Sequence, residues 1–308
     1  MLTLLAGSFL GGSLGANDAA NCFGTAVSSR LLSWRLASIL AAGFVVLGAV
    51  TQGEAGLATL QGLTQQSATA AGWAALAAGL TVAGMTGLRL PVSASQAVVG
   101  AMLGASVHGA GINRGHLAKI VVCWIGTPVG AMIMAFILYY LLRLPLKWFR
   151  PSMFTLDPLL RVGLIACGCY GAHALGASNV ANVASFLVAD GRLTPHAAVV
   201  FGGVTIAVGI LLFGRGVMVT VGRGITPLDG FSALVVVLAQ GLTVHLYALL
   251  GVPVSTSQAI VGAVLGMGLV KGVQILNHRV LTRVLCGWLA TPFVAAALAA
   301  GLTLIAAR

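Results

Sequence analysis

Apolar runs long enough to cross a bilayer follow one another along almost the whole chain. They lie at 3–28, 36–53, 68–88, 92–111, 117–142, 160–188, 196–221, 230–250, 254–272 and 280–306. Each holds about 18 residues or more, the length that spans a hydrocarbon core as a helix. Lipid offers no partner to backbone N–H and C=O groups, so such runs fold as helices that satisfy their own polar groups. With 59% hydrophobic and only 7% charged residues, there is too little charge for a water-facing surface. The reading is an all-α polytopic membrane protein embedded in a lipid bilayer. The formal net charge of +11 comes from bases scattered singly between apolar runs. That pattern fits loops facing anionic headgroups and excludes a nucleic-acid platform. No charged n-region precedes the first run, so no removable signal peptide is expected. Cys22, Cys123, Cys167, Cys169 and Cys286 all lie in apolar stretches, where cysteine behaves as a small hydrophobe.

The chain repeats itself. Gly15-Ala16-Asn17-Asp18-Ala19-Ala20-Asn21 returns 161 residues later as Gly176-Ala177-Ser178-Asn179-Val180-Ala181-Asn182. Leu32–Arg35 matches Leu193–His196, Pro91–Gln96 matches Pro253–Gln258, and Trp124–Pro128 matches Trp288–Pro292. Four landmarks in one order mark a duplicated membrane unit. Five runs per half is an odd number, which turns the second copy over relative to the first. The expectation is two inverted-topology repeats, 1–142 and 160–308, with broken helices meeting at the midplane. Between them, residues 143–159 read as a polar linker rich in proline and base, on the cytoplasmic side, with Trp148 and Phe149 at the membrane interface.

Two constellations carry chemistry. An ionisable residue at membrane depth is costly and marks function. Asp18 is such a residue, and Asn17, Asn21 and carbonyls freed by an interrupted helix would surround it with oxygens. That set suits a small hard cation such as Na⁺, or a proton on Asp18. The competing reading is a polar cap within the bundle. The second constellation opens the runs at 92–111 and 254–272, which read as short, broken or re-entrant. Pro91 and Pro253 suit the first helical position, where a missing N–H costs nothing. Ser93, Ser95, Ser255, Thr256 and Ser257 then put hydroxyls beside unpaired amides, an arrangement that binds anions. Ordinary helix capping is the alternative.

Other features read as structural. Thr127-Pro128 and Thr291-Pro292 mark helix kinks, with the threonine satisfying freed backbone. Glu54 and Arg215 occupy equivalent places and could pair as a gate, although water-facing helix ends are the commoner reading. His108, His173, His196 and His245 show no ligand spacing, and His173 precedes the second motif by three residues. No Ser-His, paired-Asp or metal-ligand set supports an enzyme. A passive channel on the same scaffold is the other alternative class.

These motifs resemble the PiT family of inorganic phosphate transporters, which also contains sulfate permeases. Its signature is Gly-Ala-Asn-Asp-x-Ala-Asn in each half, followed by a Pro-Val-Ser-Thr-Thr-His-type motif. Gly15–Asn21 matches fully, and Phe23-Gly24-Thr25-Ala26-Val27 continues the likeness. The resemblance implies a secondary active importer of an inorganic oxyanion, phosphate before sulfate, with no cofactor. It implies a multi-pass protein of a prokaryotic inner membrane and admits a homodimer. Coupling to Na⁺ or H⁺ falls to Asn17, Asp18, Asn21, Ser178, Asn179 and Asn182, with Na⁺ at Asp18 and Asn21. The anion falls to Ser93, Ser95, Gln96, Ser255, Thr256, Ser257, Gln258 and Thr25. Two departures matter. Ser178-Asn179 stands for the second Asn-Asp, and Gln96 and Gln258 stand for the histidine. One carboxylate fewer should lower the number or affinity of bound Na⁺, and it brings sulfate and proton coupling into contention.

Overall fold

The computed structural model describes residues 1–28, 31–88, 92–107, 111–149, 151–224, 228–272 and 278–306. Pro91, His108 and Arg150 lie outside the described residues. Eleven helices follow in order: α1 (Leu2–Ser28), α2 (Trp34–Gln52), α3 (Leu57–Gln61), α4 (Ala68–Gly87), α5 (Ala94–Ala105), α6 (Arg114–Phe149), α7 (Met153–Ala189), α8 (Pro195–Gly224), α9 (Gly230–Leu249), α10 (Thr256–Lys271) and α11 (His278–Ala306). Among the described residues the only β-type pairing is one isolated bridge between Thr64 and Ile112. Among the described residues, seven helices are long and apolar enough to cross a membrane. Large apolar side chains on their outer faces, such as Phe136, Leu212 and Phe293, remain exposed, as lipid contact requires.

Helix starts coincide across the repeat because the capping residues do. Ser33 accepts from Leu36 N–H at the head of α2, and Thr194 accepts from Ala197 N–H at the head of α8. Ser67 opens α4 and Asp229 opens α9 in the same way. Ser93 opens α5 and Ser255 opens α10, each accepting from the amide of the glutamine three residues on. Each cap satisfies a donor that the first turn leaves unpaired.

Two expectations change. The helix is not interrupted at the Asn-Asp motifs, since α1 and α7 run straight through 15–21 and 176–182. The motif amides bond other side chains, so the backbone ladder stays intact. The discontinuous elements are α5 and α10, with 12 and 16 residues, too short to span. Pro253 is not at the first helical position. It lies two residues before the cap Ser255, in an extended approach that follows the turn at Gly251, φ 68°. The positive φ and the nearby Ala55 carbonyl both select glycine there. The stretch 143–159 is helical over most of its length, because α6 continues to Phe149 through Pro145 and α7 begins at Met153. Trp148 and Phe149 are exposed at the end of α6.

The halves grip each other reciprocally. Gly15 of α1 lies against the backbone of Ile206 in α8, and its equivalent Gly176 of α7 lies against Val45 in α2. Gly100 of α5 meets Pro292 in α11, while Gly262 of α10 meets Pro128 in α6. Small residues let backbones approach this closely. Thr127 and Thr291 donate to Cys123 O and Gly287 O, both at 2.6 Å, which supports the structural reading of the Thr-Pro pairs. Each half therefore lends its short helix to the other half's last helix, as in an isologous interface.

Candidate functional site

The close approach of α1 and α7 sets Asp18 opposite Asn179, its own equivalent in the repeat. Asn179 Nδ2 donates to Asp18 Oδ2 at 3.0 Å. Asn17 Nδ2 and Asn21 Nδ2 donate to Oδ1 at 2.9 and 3.3 Å. The carboxylate is 2% exposed. It is met by neutral amides, and the ion pairs among the described residues join other groups, Arg192–Asp190 and Lys271–Asp229, while Glu54 meets the His196 ring. A buried charge held only by dipoles still favours a compensating positive charge. This is the chemistry of a cation site or of a carboxyl that takes up a proton. A second carboxylate at 179 would face the first at hydrogen-bond distance. The asparagine there instead supplies a donor, so the pair tolerates the absence of a bridging cation.

The short helices complete the site symmetrically. Asn21 Nδ2 reaches Thr256 Oγ1 and Ser257 Oγ at 3.1 and 3.2 Å. Asn182 Nδ2 reaches Ser95 Oγ, the equivalent of Ser257, at 3.4 Å. Ser178 Oγ accepts from Val254 N–H at 3.3 Å, tying α7 to the approach to α10. The structure thus gathers Asn17, Asp18, Asn21, Ser178, Asn179 and Asn182 with Ser95, Thr256 and Ser257. Ser93 and Ser255 lie on the same first turns, each hydroxyl accepting a cap bond from Gln96 or Gln258 N–H and keeping its own O–H as a donor. Gln96 and Gln258 are buried on those turns, and their Oε1 atoms have no protein partner. Asn179 Oδ1 and Asn182 Oδ1 are likewise buried acceptors without a partner. Thr25 lies one turn beyond Asn21 on α1, where its carbonyl accepts from Ser28 Oγ.

One contributor was not visible in the sequence. Thr86 of α4 donates to Asn17 Oδ1 at 3.2 Å, which orients the Asn17 amide toward Asp18. Its equivalent in the second half is Ala248, so the repeat carried no signal. The Glu54–Arg215 pairing does not form. Glu54 meets His196 at 3.3 Å, and Arg215 stacks over Trp34 at 5.3 Å.

Fold and site together define a duplicated helical membrane transporter with a buried polar centre shared by its halves. The chain belongs to the phosphate transporter family, whose model matches residues 14–299. It is 29% identical to a chain of Methanocaldococcus jannaschii that bears the name of a phosphate permease, over 92% of this chain and 89% of that one. It is also 29% identical to the sulfate permease CysP of Bacillus subtilis, over 96% and 84%. The solved structure of the sodium-dependent phosphate transporter has the same fold, with a TM-score of 0.87, 24% identity, and coverage of 99% and 98%.

Proposed function

We propose that the protein is a secondary active importer of a tetrahedral oxyanion, phosphate in the first place, coupled to Na⁺ or H⁺ at Asp18. The observation that carries this is the buried Asp18 carboxylate, held by amides from both halves beside the hydroxyl-bearing starts of α5 and α10. Charge compensation at Asp18 by a cation or proton lowers the cost of bringing an anion to the neighbouring hydroxyls. Asn21 bridges the two, since its amide touches both Asp18 and the α10 start. The two halves, 1–142 and 160–308, act as inverted repeats that rock about this shared centre.

Phosphate is favoured over sulfate by the unpartnered Oε1 atoms of Gln96 and Gln258. Hydrogenphosphate carries a P–OH that donates to such acceptors, whereas sulfate has none to give. Sulfate is the second reading, supported by the likeness to a sulfate permease and by the single carboxylate. Uptake of labelled phosphate and of labelled sulfate into proteoliposomes, with Na⁺ and pH gradients imposed separately, tests both. Phosphate accumulation driven by either gradient is the expected result. Sulfate accumulation alone would transfer the assignment to the second reading. Gradient-independent flux of either anion would make the protein a channel.

A further inference from the structure

A column of polar side chains runs through the second half where the first half is apolar. Tyr170 of α7 shares a hydrogen bond of 2.7 Å with His245 Nδ1 of α9. The His173 ring of α7 lies 5.7 Å from the His245 ring. Thr51 of α2 pairs with His173 Nε2 at 3.2 Å. The Thr51 hydroxyl also lies 2.8 Å from Leu47 O, to which it donates. His245 Nε2 and both amide atoms of the fully buried Gln240 have no protein partner. Gln240 and Cys22 both border Gly171, and Cys22 adjoins Asn21, which bonds Asp18. Gln240 and Cys22 thus flank α7 at Gly171, the residue that follows Tyr170.

The equivalent first-half positions of Tyr170, His173 and His245 are Phe9, Gly12 and Ala83. These three line an apolar cavity of about 470 Å³ between α1, α4 and α8 that extends to Thr86. The repeat thus left one flank open and apolar and filled the other with two imidazoles and a phenol. The filled flank belongs to the half whose motif lacks the second carboxylate.

We propose that Tyr170, His245 and His173 form a proton-binding site, distinct from Asp18, in which the imidazole pair takes up one proton in each transport cycle. The proposal rests on the transport reading above. Two imidazoles this close repel each other when both are charged, so uptake of one proton by the pair disfavours a second.

The titratable groups on the packed elements are few. Cys22 of α1 and Cys169 of α7 lie near one another, with Asp18 beyond Cys22. Cys123 and Lys119 of α6 lie toward Tyr247. Glu54, beyond the end of α2, is held by His196 of α8.

The test uses the full chain labelled with ¹⁵N-histidine in detergent. Imidazole resonances of His173 and His245 are followed from pH 5 to pH 8, within which an ordinary histidine titrates. One of the two should titrate in this range, and its midpoint should move by about half a unit or more when the other is replaced by glutamine. Independent titration of both, or of neither, overturns the proposal. In proteoliposomes, His173→Gln/His245→Gln should lose most of the wild-type change in initial uptake rate between pH 8 and pH 6. A wild-type pH profile in that variant overturns the proposal. If the double variant does not fold, Tyr170→Phe provides the same readout through a displaced His245 midpoint, and an unmoved midpoint counts against the site. Failure of the wild-type protein to accumulate either anion would reject the transport reading, while the resonance titration still decides whether the proton site exists.

Discussion

The two copies of the Asn-Asp motif occupy equivalent places in equivalent helices, yet they do opposite things. In α1 the motif presents a carboxylate, and Thr86 and Asn17 orient donors around it. In α7 the same position presents Asn179, whose amide is one of those donors. The frame is matched between the halves, whereas position 18 carries a carboxylate and its equivalent 179 carries the amide that donates to it. The lesson is that frame and chemistry evolve separately. Helix caps, glycine contacts and short-helix starts stay matched across the repeat, while the ionisable groups do not.

The sharpest way to break this comparison is to remove the asymmetry. Asp18→Asn makes both copies neutral, and accumulation of anion against a gradient should fall about 100-fold or more in the proteoliposome assay. Retained accumulation would show that coupling lies elsewhere. Asn179→Asp restores symmetry in the other direction. Two carboxylates at hydrogen-bond distance repel, so one must bind a proton or share a cation. That variant should melt about 5 °C lower than wild type in sodium-free buffer at pH 8 and recover on addition of Na⁺, as a ligand specific to the folded state requires. A melting curve indifferent to both Na⁺ and pH would mean that residues 18 and 179 do not share a site.

Much of the frame was legible from the sequence because it rests on periodic or repeated signals. The ten apolar runs correspond to the ten long and short helices other than α3, and the two runs opening with Ser-rich clusters are the short ones. The capping residues fall where hydroxyl or carboxylate side chains precede apolar runs. Some features were hidden for physical reasons. The Gly-Ala pair followed by Asn17, Asp18 and Asn21 reads as a helix break, but the amides find side-chain partners and the backbone ladder continues. The Asp18–Asn179 bond joins residues 161 apart in sequence, and no local pattern reports which face α1 turns to α7. Thr86 and the Tyr170–His245 pair had no counterpart in the other half, so the repeat could not point to them.

A milder test examines the frame itself. Gly15→Ala and Gly176→Ala each drive a methyl group into a backbone carbonyl of the opposite half, at Ile206 and Val45 respectively. Each should destabilise the protein by about 1–3 kcal/mol, the usual range for overpacking. Reciprocal packing predicts similar losses for the two variants in thermal melts. A large loss for one and none for the other would show that a single interface dominates.

The smallest expected effect concerns a matched pair of caps that differ in charge. Ser67 opens α4 and Asp229 opens α9, each accepting from an amide three residues on, at 3.3 and 2.9 Å. Burial alone would raise the Asp229 carboxyl. The Lys271 ammonium, the Ser232 amide and the Ser232 hydroxyl outweigh it and hold the group below the ordinary carboxylate range. A carboxyl lowered in the folded state contributes stability that is fully present above its unfolded pKa, near 4, and is lost as pH falls through the folded value. The neutral cap at Ser67 has no such dependence. Asp229→Ser, which copies the first half's cap, should therefore cost about 0.5–1 kcal/mol at pH 7 and less as the pH approaches 3. The difference in melting temperature between wild type and variant, followed from pH 7 to pH 3, isolates this term from the other acids. A constant difference across that range would mean that the charge at Asp229 adds no pH-dependent stability to the cap.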